Sequence, residues 1–231
     1  MKGGGIMLKR MVLAAIAVSF ATSIYAAKIT EGFEDKTVLK KWEIEGDVSI
    51  STDQKHGGNS SLFTPAGSTA TFRFSTENKF GTVTMWVYDS FAVKKAPSGS
   101  NGPYFGLINS DDDKAVEVIC YRPYLTINDY SEMFTAEAQW FSPWHSAISR
   151  PKAAWGKWLF TFTDDKTLGA TFNDEKESAA FSTKLEFFKK GANGIVLSGG
   201  PSLGAKNETF YFDDIEIDVK DTAKEAPKPV K

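Results

Sequence analysis

A succession of short segments in this chain alternates apolar and polar side chains with a period of two, a pattern that suits a half-buried strand and not a helix. Asp47–Thr52 sets Val48 and Ile50 on one face, and Thr69–Ser75 alternates likewise. Gly81–Tyr88 puts Val83, Met85 and Val87 on one side and Thr82, Thr84, Trp86 and Tyr88 on the other. Pro103–Ile108, Ala115–Tyr121, Trp158–Thr163, Gly194–Ser198 and Thr209–Val219 follow the same logic, each rich in β-branched or aromatic residues and bounded by Gly, Asn, Asp or Pro. Many short strands separated by turn signals predict an all-β fold, an antiparallel two-sheet sandwich of the jelly-roll type. Two segments resist this reading. Tyr130–Ala154 holds Pro143, Pro151 and many rings without a steady period, and is expected to be an extended loop or irregular rim strands. Ser182–Lys190 suits a short helix or a strand.

The ends of the chain have a different character. Lys2, Lys9 and Arg10 precede an uncharged, mostly apolar stretch from Met11 to Phe20, and small residues follow up to Ala26 and Ala27. That order predicts a secretory signal over residues 1–26, with cleavage after Ala26. The apolar stretch is shorter than the roughly 20 residues that span a bilayer, and no second long apolar run exists. The expectation is a secreted or periplasmic protein with no membrane span after cleavage. Residues 27–219 then form one β-sandwich domain, and residues 220–231, charged and proline-containing, form a disordered tail. Cleavage removes three of the 27 basic residues and none of the 29 acidic ones, leaving a net charge of about −5. With no basic stripe, nucleic acid is not the expected partner. Cys120, the single cysteine, excludes an internal disulfide and a cysteine-based zinc cluster, and in an apolar strand it reads as a small buried hydrophobe.

The two ends of the mature chain carry a resemblance. Gly32-Phe-Glu-Asp35 is followed by Trp42 and Gly46, then by His56-Gly-Gly-Asn-Ser-Ser-Leu62, and Tyr211-Phe-Asp-Asp-Ile-Glu-Ile217 closes the series. This resembles the jelly rolls of carbohydrate-binding modules. Trp155-Gly-Lys-Trp-Leu-Phe-Thr-Phe and Leu168-Gly-Ala-Thr-Phe-Asn-Asp174 are similar to a strand and hairpin of concanavalin A-like lectin and glucanase domains. The span from Lys94 to Arg150 matches no family pattern. The resemblance implies a lectin-like sandwich with its first and last strands close together. It also implies a structural Ca²⁺ linking the opening Glu34, carbonyls of the glycine-rich turn, and Asp213 of the closing strand, with Asp35 and Asp214 as nearby options. Strand alternation puts Asp213 on one face with Tyr211, Ile215, Ile217 and Val219, where an uncompensated carboxylate would be costly. Backbone N–H groups could satisfy it without an ion. Gly57 and Gly58 suit a tight turn that needs positive φ. Asp111, Asp112 and Asp113 lack the glycine and glutamate of a calcium loop and read as a solvated turn.

Between positions 121 and 155 lie Tyr121, Tyr124, Tyr130, Trp140, Trp144 and Trp155, interleaved with polar residues such as Arg122, Asn128, Asp129, Gln139 and His145. Rings stack on the apolar faces of sugars while polar neighbours orient hydroxyls. Tyr121, Tyr124, Trp140, Trp144 and Trp155 are therefore the candidate contacts for a polysaccharide or glycan. The alternative is that several of these rings fill the core. Pro143 favours an edge or loop position for the Trp140–Trp144 stretch. Catalytic constellations are sparse. His56 and His145 stand apart from any nucleophile motif, and the paired-carboxylate run E-x-D-x-x-E of related glucanases is missing. Asp214, Glu216 and Asp218 share a face of the last strand and are expected to face solvent. The leading expectation is a non-catalytic glycan-binding protein. Its rivals are a divergent polysaccharide hydrolase or lyase using His145, Tyr124 or an unrecognised carboxylate pair, and an envelope or matrix structural protein whose sandwich binds another protein.

Overall fold

The computed structural model describes residues 28–220 except 78, 90–99, 110–113, 125–126, 136–139, 142–148, 151–153, 165–166, 174–177, 185–190 and 200–208. The expected signal, the expected tail beyond Lys220, the Asp111–Asp113 run, Trp144 and His145 therefore lie outside the described residues. In chain order the strands are β1 Ile29–Glu31, β2 Glu43–Glu45, β3 Ser49–Ser51, β4 Ser61–Pro65, β5 Thr69–Arg73, β6 Phe80–Asp89, β7 Ser100–Asn109 and β8 Lys114–Tyr124. They continue as β9 Ile127–Thr135, β10 Trp140–Phe141, β11 Ser149–Arg150, β12 Ala154–Phe162, β13 Thr167–Asn173, β14 Ser178–Lys184, β15 Gly194–Ser198 and β16 Thr209–Lys220. Strands β8 to β11 and β14 are described by chain path and pairing alone.

The strands form two antiparallel sheets. One runs β14-β13-β12-β6-β16-β4-β3, with β1 also on β16, and the other runs β10-β9-β8-β7-β15-β5-β2, with β11 also on β9. The fold is the expected all-β sandwich, and its first and last strands pair, Ile29 opposite Ile217. The sheets meet over the residues that alternation assigned to the inside. Val83, Met85, Val87, Trp158, Phe160, Phe162, Phe210 and Phe212 of the first sheet are buried, as are Phe105, Leu107, Ile195 and Leu197 of the second. Phe105 reaches across and meets Trp158, Phe160 and Phe212 edge-on, with ring centroids at 5.3, 6.4 and 5.9 Å. Such T-shaped contacts add to what area burial contributes.

A 3-10 helix, Lys36–Lys41, closes one end of the sandwich. Asp35 caps it: its carboxylate accepts from the Thr37 backbone N–H at 2.8 Å and from the Thr37 hydroxyl at 2.6 Å. Trp42, just past the helix, packs between Phe33 and Phe72. Among the described residues no helix is long and apolar enough to cross a membrane.

Three expectations need correction or refinement. Of the two readings of Tyr130–Ala154, the described parts follow the irregular strands: Ile127–Thr135 pairs along β8, with Phe141 of β10 opposite Met133 and Ser149 of β11 opposite Asp129. Irregular register on β8 at Ile119/Tyr121 and Tyr121/Tyr124 breaks the period that would have marked a strand pair. Ser182–Lys190 begins as strand, since β14 extends to Lys184. Finally, Asp213 does not share a face with Ile215, Ile217 and Val219. The register of β16 shifts between Asp213 and Glu216, and Asp214 takes a left-handed φ of 45°. That bulge puts Phe210 and Phe212 on the core side with Ile215, Ile217 and Val219. Tyr211 and Asp213 take the other face, opposite Tyr88 and Trp86 of β6.

Trp158 and Trp155 share β12, three residues apart, on opposite faces. Trp158 is 1% exposed and Trp155 is half-buried. Trp158→Ala is expected to cost about 3–5 kcal/mol of unfolding free energy in a denaturant titration, and Trp155→Ala well under half of that. Equal losses would contradict the two-faced reading of β12.

Candidate functional site

The backbone of the turn between β3 and β4 is held by two carboxylates. Glu34 follows Phe33, a buried residue with a left-handed φ of 56° whose N–H donates to the Glu31 carboxylate at 2.8 Å. Glu34 Oε1 accepts the backbone N–H groups of Asn59 at 2.8 Å and Ser60 at 3.2 Å, and Oε2 accepts the Asn59 side-chain amide at 3.2 Å. From the opposite side, Asp213 Oδ2 accepts the N–H groups of His56 at 2.8 Å and Gly57 at 3.1 Å. Its Oδ1 accepts the N–H of Asp214 at 2.8 Å. Glu34 and Asp213 thus converge on one glycine-rich turn, as the motif resemblance implies. Gly58, at φ 55°, needs the left-handed region, and Gly57 does not. A Cβ on Gly58 would also collide with the Glu34 carboxylate.

Electrostatics separate these groups. Asp213 is 0% exposed. Burial pushes its carboxyl above the usual range; the N–H donors of His56, Asp214 and Gly57 pull the other way, and the neighbouring Asp214 charge adds to the upward push. The Asn59 backbone N–H, foremost, holds Glu34 below its ordinary value. The Thr37 side chain does the same for Asp35, which serves as the helix cap.

The turn also delivers His56 to the outer face of the first sheet. Its imidazole stacks on Trp86, with centroids 3.6 Å apart and planes 17° from parallel. Its Nδ1 lies 2.6 Å from Asp214 Oδ2, and Trp155 meets it edge-on at 5.8 Å. A row of rings crosses four strands beside this stack. Trp155 of β12 meets Tyr88 of β6 at 5.4 Å, Tyr88 meets Tyr211 of β16 at 5.9 Å, and Tyr211 meets Phe63 of β4 at 5.2 Å. The register explains the row, because Trp155, Tyr88, Tyr211 and Phe63 are successive cross-strand partners.

Of the candidate glycan contacts among the described residues, Trp155 alone falls in this cluster. Tyr121 and Tyr124 lie on β8 and Trp140 on β10, all in the other sheet. Trp140 stands opposite Phe134 on the edge strand, the kind of position that Pro143 favours. Trp86, Tyr88 and Asp214 were not among the candidate glycan contacts. The signal for the first two was present, because alternation in Gly81–Tyr88 already turned them away from Val83, Met85 and Val87. Asp214, Glu216 and Asp218 do lie toward solvent, and Glu216 pairs with Lys28 at 2.8 Å.

Two variants probe the turn. Gly58→Ala is expected to lose roughly 1–3 kcal/mol in chemical denaturation from left-handed strain, with more from the collision with Glu34. The raised Asp213 carboxyl has a definite pH signature. Its folded pKa exceeds the unfolded value of about 3.9, so the folded state takes up the proton first and stability is gained as pH falls through that window. Asp213→Asn removes the titrating group. In chelator, the melting temperature of the native protein relative to Asp213→Asn should rise as pH is lowered from 7 toward 4; a flat difference would show that burial does not penalise this charge.

No family model and no curated protein sequence matches the chain. Solved structures do. The cellulose-induced protein Cip1 aligns at 15% identity and a TM-score of 0.52, over 81% of this chain and 95% of its own. Lectin II from Ulex europaeus aligns at 12% identity and a TM-score of 0.53, over 83% and 97%. A carbohydrate esterase from the Shiga toxin-encoding bacteriophage phi24B aligns at 11% identity and a TM-score of 0.50, over 82% and 99%. At these identities the likeness is one of fold, and the fold is a lectin-like two-sheet β-sandwich.

Proposed function

We propose that this is a secreted or periplasmic, non-catalytic glycan-binding protein that holds its ligand by ring stacking through aromatics of the 121–155 region. The observation that carries the reading is the setting of Trp155. It is half-buried on an outer sheet face, in ring contact with Tyr88 and with His56, whose Nδ1 in turn meets Asp214. A sugar ring offers an apolar face to such an indole and hydroxyls to polar groups around it. Tyr121, Tyr124 and Trp140 extend the reading to the other sheet, and Trp144, outside the described residues, belongs to the same set. Neighbours of the same fold that are lectins support it by analogy of fold.

The reading includes a structural Ca²⁺ at the turn, held by Glu34 and Asp213. Calcium takes six to eight oxygens, carboxylates among them. A cation beside the fully buried Asp213 carboxylate would offset the cost of burying its charge. Asp213 Oδ1 and Glu34 Oε2 each accept a single hydrogen bond, and since no group of three or more His, Cys, Asp or Glu among the described residues could hold a metal ion, the ion would need further oxygens from the turn. The ion would supply charge neutralisation and would pin the turn that presents His56.

Screening the purified protein on a glycan array, with and without calcium, tests both parts. Binding should weaken in Trp140→Ala, Trp144→Ala and Trp155→Ala by on the order of 1–3 kcal/mol each, by analogy with base stacking. Absence of any glycan ligand would sink the functional reading. Calcium at about 100 times its dissociation constant should add ~2.7 kcal/mol of stability, and Asp213→Ala should abolish that gain. An identical melting temperature in calcium and in chelator would remove the ion from the account.

A further inference from the structure

The outer face of the first sheet has a consistent chemistry along its strands. On β6 the outward residues are Thr82, Thr84, Trp86 and Tyr88, all half-buried, between the buried Val83, Met85 and Val87. On β12 they are Trp155, Lys157, Leu159 and Thr161. Register lays these out in rows. Trp155 stands opposite Tyr88, Lys157 opposite Trp86, Leu159 opposite Thr84, and Thr161 opposite Thr82. On β13, Thr171 continues the Leu159 row and Gly169 the Thr161 row. The face is aromatic at one end, and small and hydroxyl-bearing beyond it.

We propose that this face binds an extended strand of neutral polysaccharide lying along β6 and β12, with Trp155 and Tyr88 as its stacking end and the hydroxyls of Thr84, Thr82 and Thr161 along its lane. The proposal rests on the glycan-binding reading and names the surface and the ligand class. Three observations select this occupant. The rings stand beside the threonine hydroxyls of the next rows, and the one exposed large hydrophobic residue among those described, Ile44, lies on β2 of the other sheet. A protein-docking face is expected to expose a contiguous apolar patch. Lys157 is the one charged residue that the described parts of β6, β12 and β13 turn outward, whereas the flanking β16 carries Asp214, Glu216 and Asp218. That charge balance disfavours uronate or sulfated chains. Beyond the Lys157–Trp86 row, Thr84, Leu159 and Thr171 and then Thr82, Thr161 and Gly169 form two rows across three strands, a sheet face that suits a chain bound along its length better than a terminal sugar held in a pocket.

The test measures binding of the purified full chain to cellulose, xylan and mannan, to polygalacturonate, and to free glucose, xylose and mannose. The variants are Trp155→Ala, Thr84→Arg and Trp140→Ala, each with its melting temperature. Thr84→Arg puts a bulky charge in the middle of the lane at a half-buried surface position, so it probes the face without emptying the core. The expected result is binding to at least one neutral polymer, reduced about tenfold or more in both Trp155→Ala and Thr84→Arg, with the melting temperature unchanged in Thr84→Arg and lowered far less by Trp155→Ala than by Trp158→Ala. Neutral-polymer binding that survives both changes and is lost in Trp140→Ala would overturn this face while leaving glycan binding intact. Preference for polygalacturonate or for free monosaccharides would overturn the ligand class alone. No binding to any carbohydrate would overturn this proposal together with the functional reading beneath it.

Discussion

The buried carboxylate of Asp213 is the interaction on which the arrangement of this end of the sandwich depends. A carboxylate without solvent must find donors or lose its charge. Asp213 finds three backbone N–H groups, from His56, Gly57 and Asp214. Hydrogen bonds to a charged group contribute roughly 1.5–3 kcal/mol each, so the closing strand and the glycine-rich turn are tied across a sequence separation of 157 residues. Glu34 ties the same turn to the opening of the domain. The turn is thereby fixed from both sides, and His56 can only lie where its backbone is anchored, over Trp86. The stack of His56 on Trp86 is thus a consequence of carboxylate chemistry at the turn.

The same strands serve two purposes through their period of two. The inward residues of β6 and β12 make the core with Phe105 and its neighbours, and the outward ones make the ring row and the threonine lane. A one-residue slip in either strand would exchange these faces, exposing Trp158 and burying Lys157. The large apolar term gained by burying Trp158, Phe160 and Phe162 therefore fixes the placement of Trp155 and Tyr88 as well. Few residues on the outer face need to contribute to stability, which leaves their chemistry open to recognition.

Legibility in the sequence followed the same physics. β5, β6, β7, β12, β15 and β16 were readable because each alternates cleanly over a half-buried length. The pairing of first and last strands was readable from the terminal motifs. β9 was not, because its register with β8 shifts twice, with an extra residue first on β9 and then on β8, and this interrupts the period that identifies a strand. At the site, the convergence of Glu34 and Asp213 on the turn followed from their motif positions. The stack of His56 on Trp86 and the bond to Asp214 did not, since they join residues far apart whose meeting depends on a backbone φ that alternation cannot express. Trp155 was identified for its chemistry but grouped by sequence proximity with residues of the other sheet. Proximity in the chain is a poor guide wherever a connection crosses between sheets.

The bulge in β16 nonetheless leaves a trace in the sequence. Phe210 and Phe212 are two apart, as are Ile215, Ile217 and Val219, but Phe212 and Ile215 are three apart. A regular strand cannot keep both groups on one face. One extra residue must be absorbed between them, and that residue must accept an unusual backbone conformation; aspartate is among the few non-glycine residues that do so readily. Burying both apolar groups in one core thus requires a bulge at the odd spacing across Asp213 and Asp214. Placed there, it turns Asp213 away from the core toward the turn's N–H groups and swings Asp214 out to His56. The irregular step in the apolar pattern and the two carboxylates within it are one device, since the step that keeps the isoleucines in the core is also what aims both acids at the turn.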